Sequence, residues 1–582
     1  MNHPEKQALL NNRKSISFST FFFFRVAPPR IVLYKVPVKE ILGYFAFVLH
    51  GHLPFVLHHG TWPHGSDWLC EAALHCYLPL IQALERICQR GDPLGLTLQL
   101  SPVLCEQLAH ADFRAEFRKY LDRRLLSARE TRAYLLRSER DEEARVAAFW
   151  EVFYQKVDET WRENEGNILR AFGRFVEEHG MEIITSGATH GYLPLLSRDE
   201  SIDLQVGQAV WSHRAHFGFR PRGIWLPECG YRKGIEAILE RHGLEFFFAD
   251  SHMVMGGPPT PHYGPFFPQL SRLAERAPAI PAQRPASPYR PYLVAAGERK
   301  KGLAVLSRDP HSTLQVWSRD VGYPGEEWYL EFHKKHFPGG LQLWRISPDK
   351  GDLGKKEVYI PERARERAQE HARHFVGVVA DALRHYRDGF GESGILCALY
   401  DAELFGHWWF EGPYWLEEVF RLLPERGIQA VGCGRFLEEH PPRETIGLAE
   451  GSWGEGGDHR TWLNQDTEWT WQKIHPAEES FWSWVKRSSG RNSSELQRVL
   501  SQTARELLLM QASDWQFLIT AMVSRDYGEK RFLEHYEDFQ SLGRFLERLL
   551  EGGTLSEQDW AFVEQKEKQD FLFPEIQLPI NL

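Results

Sequence analysis

Apolar positions in this chain fall into two patterns. In the first, short and mostly apolar runs recur, and each stops on polar or ionisable chemistry. Residues 44–49 run into His50-Gly51-His52-Leu53-Pro54, residues 96–100 into Ser101-Pro102, and residues 224–227 into Glu228. Residues 246–249 lead to Asp250, residues 303–306 to Ser307-Arg308-Asp309, and residues 395–400 to Asp401. Residues 182–185 lead into Thr189-His190-Gly191-Tyr192, and residues 430–432 are one more candidate strand. Runs without polar alternation suit strands buried on both faces. In the second pattern the spacing is helical. Phe113, Phe117, Tyr120 and Leu121 keep i, i+4, i+7, i+8 positions, and Phe149, Trp150, Phe153, Tyr154 and Val157 repeat the stripe until His179-Gly180 stops it. Residues 364–386, 505–518 and 531–550 read as further helices.

Buried strands alternating with helices imply a parallel α/β fold. Reactive groups at so many strand ends favour a barrel, whose sites lie on that face, over an open sheet with one crevice. The expected architecture is a barrel over residues 41–440 with a helical insertion at about 105–180. A Gly/Pro-rich lid loop is expected at about 251–300, beginning near Gly256-Gly257-Pro258-Pro259 and holding Tyr263. Residues 441–582 read as a helical C-terminal domain, with the loop Gly451-Ser452-Trp453-Gly454 placed to return to the barrel. Residues 1–40 match nothing that follows and read as a disordered tail or an upstream start; as a signal peptide they are weak.

Composition narrows the chemistry. The 582 residues include 20 Trp, 19 Tyr and 37 Phe, with a net charge of -10. The acidic balance, with no basic patch, excludes a nucleic-acid partner, and no apolar run approaches the roughly 20 residues of a membrane span. Seven scattered Cys, odd in number and without a CxxC pair, indicate a reducing, cytoplasmic setting and no zinc ribbon.

Two strand-end acids, Glu228 and Asp401, stand beside aromatic residues, and a carboxyl pair with flat rings suits glycoside chemistry. The bland readings are a helix-capping acid and core tryptophans. Trp408 and Trp409 are expected to divide between core and site, while Trp469 and Trp471 read as packing. His371 and His374 share a helical face as satisfied polar groups. Glu403 reads equally as a partner of the acids or as a surface acid.

Five ordered motifs then carry a family resemblance: His50-Gly51-His52-Leu53-Pro54, Ala188-Thr189-His190-Gly191-Tyr192, Gly223-Ile224-Trp225-Leu226-Pro227-Glu228, His371-Ala372-Arg373-His374-Phe375, and Tyr400-Asp401-Ala402-Glu403-Leu404-Phe405-Gly406-His407-Trp408-Trp409. Over about residues 44–570 the chain resembles the family-57 glycoside hydrolases, and within them the α-1,4-glucan branching enzymes. The resemblance implies a (β/α)7 barrel with a helical insertion and an all-α C-terminal domain. It implies Glu228 as nucleophile and Asp401 as general acid/base. His50, His52 and His190 match residues lining the donor sugar, Trp68 and Trp317 match rings at the mouth, and Trp453 and Trp462 match a pair from the C-terminal domain. Tyr263 matches a loop-tip Tyr that closes over the site. The implied partner is α-1,4-glucan, with neither cofactor nor metal, in glycogen biosynthesis.

Three rival readings stand beside this one. The first is an α-amylase or 4-α-glucanotransferase of the same family. The second is a metal-dependent polysaccharide deacetylase gathering His50, His52, His190 and Asp250, although the acid pair expected after the first strand is His-Gly-His here. The third is a glucan-binding protein without catalysis.

Overall fold

The computed structural model describes residues 41–256, 286–294, 302–317 and 322–578. The expected tail at 1–40, Tyr263 and most of the expected lid lie outside the described residues. Ten strands are described: β1 (Gly43–Gly51), β2 (Leu96–Leu100), β3 (Glu182–Ile184), β4 (Gly223–Ile224), β5 (Phe246–Ala249), β6 (Tyr292–Val294), β7 (Leu303–Ser307), β8 (Ile395–Asp401), β9 (Ile428–Ala430) and β10 (Thr445–Ile446). Parallel ladders join β1 to β2 and β8, β2 to β3, β4 to β5, and β5 to β7. Parallel bridges Thr185–Ile224 and Arg308–Cys397 close the two gaps. Among the described residues the ring is therefore β1-β2-β3-β4-β5-β7-β8, seven parallel strands. This is the expected (β/α)7 barrel. β6 and β10 extend β7 at one edge, and β9 pairs with the start of β1.

Every residue of β1, β2, β5 and β7 is buried, as unbroken apolar runs require when one face fills the barrel and the other meets helices. The parallel register sets His50 opposite both Gln99 and Asp401 at one level near the strand ends. Ser101, Glu228, Asp250 and Asp309 follow the ends of their own strands and share that face.

Between β2 and β3 the helices Ala111–Arg137 and Asp141–Glu163 pair through the expected stripes, with Phe117 against Trp161 at 4.5 Å. Phe113, Phe117, Trp150, Tyr154 and Val157 are buried, and Gly180 ends the region in the left-handed conformation with φ 70. Beyond β10, helices Glu468–Ser488, Ser494–Met510, Ser513–Ala521, Arg525–Leu550 and Glu557–Gln569 follow. Val38–Leu582 form one compact unit, with bridges Gly191–Ala512 and Tyr231–Gly451 tying the C-terminal helices to the barrel. The periodicity at 505–518 predicts one continuous helix, but the structure breaks it after Met510. Ala512 leaves the helical conformation to pair with Gly191, and the next helix starts at Ser513. Tertiary pairing overrides local propensity there, and the break turns Ser513 and Asp514 toward the barrel mouth.

Candidate active site

Glu228 sits on the turn after β4 with φ 60 and ψ 24, a left-handed conformation that costs a non-glycine residue on the order of 1 kcal/mol or more. The C-terminal region holds it there. The Trp453 amide donates to the Glu228 carbonyl at 3.0 Å, and Trp453 Nε1 donates to Oε2 at 2.7 Å. Ser513 Oγ donates to Oε1 at 3.1 Å and lies 2.9 Å from His190 Nδ1, which itself is 3.7 Å from Oε1. Burial pushes the Glu228 carboxyl up to about 7, against the pull of the Trp453 and Ser513 hydrogen bonds.

Asp401 ends β8 beside His50. Burial raises its carboxyl well above the usual range, the charges of Glu403 and Glu228 add to that, and Arg308 opposes it. Its Oδ1 is buried without a hydrogen-bond donor among the described residues. Glu403 is also buried; Oε1 accepts from Tyr77 Oη at 2.5 Å and from the His52 amide at 3.1 Å. Burial lifts it to about 7. Glu403 therefore belongs with the acids, the first of its two readings.

The histidines form a stacked bed under these groups. His52 lies on His190 at 3.9 Å, and His50 on Trp225 at 4.7 Å. Burial, and then the other imidazoles, hold His190 well below its ordinary value, and burial does the same to His50. His52 is lowered by burial too, yet ends raised, because Asp514 accepts from its Nε2 at 3.1 Å. Above them Trp453 meets Trp225 edge-on at 5.1 Å, and Trp317 meets Trp453 at 6.2 Å. The Arg308 guanidinium lies over Trp453 at 4.7 Å and over Trp317 at 5.9 Å, and it donates to Asp250 at 3.4 Å. Paired carboxyl groups, neutral imidazoles and flat rings in one pocket can bind sugar hydroxyls and cleave a glycosidic bond.

The family described as glycosyl hydrolase family 57 matches residues 46–449. The chain belongs to this family. The family described as 1,4-alpha-glucan branching enzyme, C-terminal, matches residues 473–580. The chain is 41% identical over 544 residues to a 1,4-alpha-glucan branching enzyme of Thermococcus kodakarensis, covering 91% of this chain and 77% of that one. The crystal structure of that family-57 branching enzyme matches with a TM-score of 0.85 and 39% identity, over 93% of this chain and 96% of the other. A family-57 branching enzyme from Pyrococcus horikoshii matches at 0.81 and 41%, over 92% and 96%. An alpha-amylase from Thermotoga maritima matches at 0.78 and 30%, over 92% and 98%.

Against this family-57 frame, the residues expected from the sequence divide. His50, His52, His190, Glu228, Trp317, Asp401 and Trp453 come together. Trp462 is fully buried one layer behind, stacked on Tyr192 at 4.3 Å. Trp68 is half-buried with its ring near His64 at 6.3 Å, rather than among the rings beside the acids. His371 and His374 are paired with Tyr329 and Tyr323, at 2.8 and 2.7 Å. Trp409 is buried, while Trp408 is half exposed and stacks on Phe332 at 4.7 Å. Trp471 donates to the Trp462 carbonyl, and Trp469 packs on Phe532. The four-residue metal set of the deacetylase reading does not assemble, because Asp250 pairs with His252 and Arg308. Ligand atoms of His52 and His190 instead cluster with Asp514. Sequence reasoning missed Ser513 and Asp514, which lie in a stretch that reads as plain helix. Arg308 was visible only as a polar strand end.

Proposed function

We propose that this chain is a retaining 1,4-α-glucan branching enzyme in which Glu228 is the nucleophile and Asp401 the general acid/base. One observation carries the assignment of roles. Two neutral donors, Trp453 Nε1 and Ser513 Oγ, stabilise the Glu228 anion, while Asp401 Oδ1 has no donor among the described residues and keeps its proton to higher pH. The pair therefore loses its first proton from Glu228. Asp401 then protonates the glycosidic oxygen of an α-1,4 link as Glu228 attacks the anomeric carbon, forming a β-glycosyl ester. The deprotonated Asp401 next takes the proton from a glucan 6-hydroxyl that displaces Glu228, giving an α-1,6 branch. His50, His52 and His190 contact the donor sugar, and the Trp453, Trp317 and Trp225 rings exclude water from the ester.

Supporting branching over hydrolysis are the match of residues 473–580 and the likeness to two branching enzymes. The likeness to an alpha-amylase favours the second reading, a hydrolase of the same family. All seven cysteines are free, which supports a reducing, cytoplasmic setting, and the likeness to branching enzymes supports a role in glycogen biosynthesis. No described helix is long and apolar enough to cross a membrane. The test is incubation with amylose, following iodine colour, reducing ends and chains released by a debranching enzyme. Branching lowers the colour with few reducing ends and many short released chains. Reducing ends rising in step with colour loss would leave a hydrolase.

A further inference from the structure

We infer that Glu71, His75 and His407 form a binding site for a divalent transition-metal ion of the zinc class, separate from the pocket of Glu228 and Asp401. The three residues offer ligand atoms within 4.8 Å of one another. They line a cavity of about 10 Å³, room for one water-sized particle, together with Gln342 and Trp408. His75 and His407 are each more than nine-tenths buried, and each leaves one ring nitrogen, His75 Nε2 and His407 Nδ1, with no hydrogen-bond partner among the described residues. Buried polar atoms are rarely left unmade without a reason, and two on residues that line one cavity with a carboxylate match the two-imidazole, one-carboxylate donor set of zinc.

The local backbone supports the placement. His75 lies in a π-helical turn, Ala73–Tyr77, inserted between two α-helices, a distortion that often marks functional positions. Gly406, at φ 101, lets the next loop come so close that a Cβ there would meet the His75 carbonyl at 1.9 Å. That approach brings His407 to the turn. Four-coordinate zinc needs donor atoms about 3.3 Å apart. The three groups must therefore draw together on binding, and Glu71, with 28% of its side chain exposed, has room to move. Lys335, 3.7 Å from Glu71, is the competing cation and must withdraw.

The consequence is mechanical. The same π-turn holds the segment after Asp401, through Cys76 Sγ on the Ala402 carbonyl and Tyr77 on Glu403. A bound ion would staple this turn to the loop of His407.

The test uses the full chain, stripped with a chelator and desalted, with Zn²⁺ followed by calorimetry and Co²⁺ by visible absorbance. One saturable Zn²⁺ per chain at this site is expected, with a rise in Tm. Affinity should fall at least tenfold in His75→Gln and in His407→Gln, and rise in Lys335→Gln, which removes the competitor and does not depend on a buried substitution folding. No saturable binding would mean a buried water only and overturns the proposal. Binding that all three substitutions leave unchanged, as at the His52–His190–Asp514 cluster or at surface histidines, overturns it equally.

Discussion

The turn that carries Glu228 and the strand end that carries Asp401 hold the same functional group in one pocket, yet they are built differently. Glu228 is on a strained turn, gripped from the C-terminal helical region by Trp453 and Ser513. Asp401 is the last residue of a seven-residue strand whose other six are buried, and among the described residues its Oδ1 has no donor. Burial raises both carboxyls, so burial alone cannot separate their roles. Hydrogen-bond supply does, because a donor stabilises the anion and its absence favours the acid. On the proposed roles, the barrel would supply the acid and the C-terminal region would tune the nucleophile.

The strongest way to break this comparison is to remove the charge of one side. Glu228→Gln should lower transfer from amylose by roughly 10⁴-fold or more, with substrate binding retained. Asp401→Asn should cost about 10²- to 10⁴-fold on amylose, and much less on a glucosyl fluoride, whose leaving group needs no proton. Equal losses on both substrates would remove Asp401 from the acid role. Trp453→Phe keeps a ring and deletes the 2.7 Å donor. Its loss should lower kcat/KM by about tenfold, the worth of a hydrogen bond to a charged group. The sign of its pH effect follows from the same bond: without the donor the Glu228 pKa rises from about 7, so the acid limb of the rate profile moves to higher pH. An unmoved limb would separate Trp453 from the titration of Glu228. The smallest effect is expected from Glu403→Gln and is read in stability. Glu403 is raised to about 7, so its contribution is present below the ordinary carboxylate value of about 4.5 and is lost as pH rises toward 7. The variant should therefore gain Tm relative to the parent at pH 7.5 and gain none at pH 4.5.

Much of the barrel was legible because buried parallel strands write themselves as short apolar runs, and each reactive strand end follows its run directly. The stripe of Phe113, Phe117 and Trp150 was legible for the same reason, since helical periodicity is local. Glu403 was visible as an acid, but its partners Tyr77 and His52 are 326 and 351 residues away, so its role could not be read. Trp462 shows the converse: a motif-matched ring whose stacking on Tyr192 sets it behind the pocket.

The amino-acid sequence alone determined the strand and helix order, the two acids at strand ends and the family likeness, because burial period and motif spacing are properties of neighbouring residues. Only the tertiary structure decided that Ser513 reaches Glu228, that Asp514 faces His52, and that Glu71, His75 and His407 share a cavity. Glu71 and His75 are four positions apart on one turn, but Ser513 with Glu228, Asp514 with His52, and His407 with that turn are joined across hundreds of positions, through a helix broken at Ala512 and a turn pressed close by Gly406. Their partners are chosen by packing, which no local pattern records.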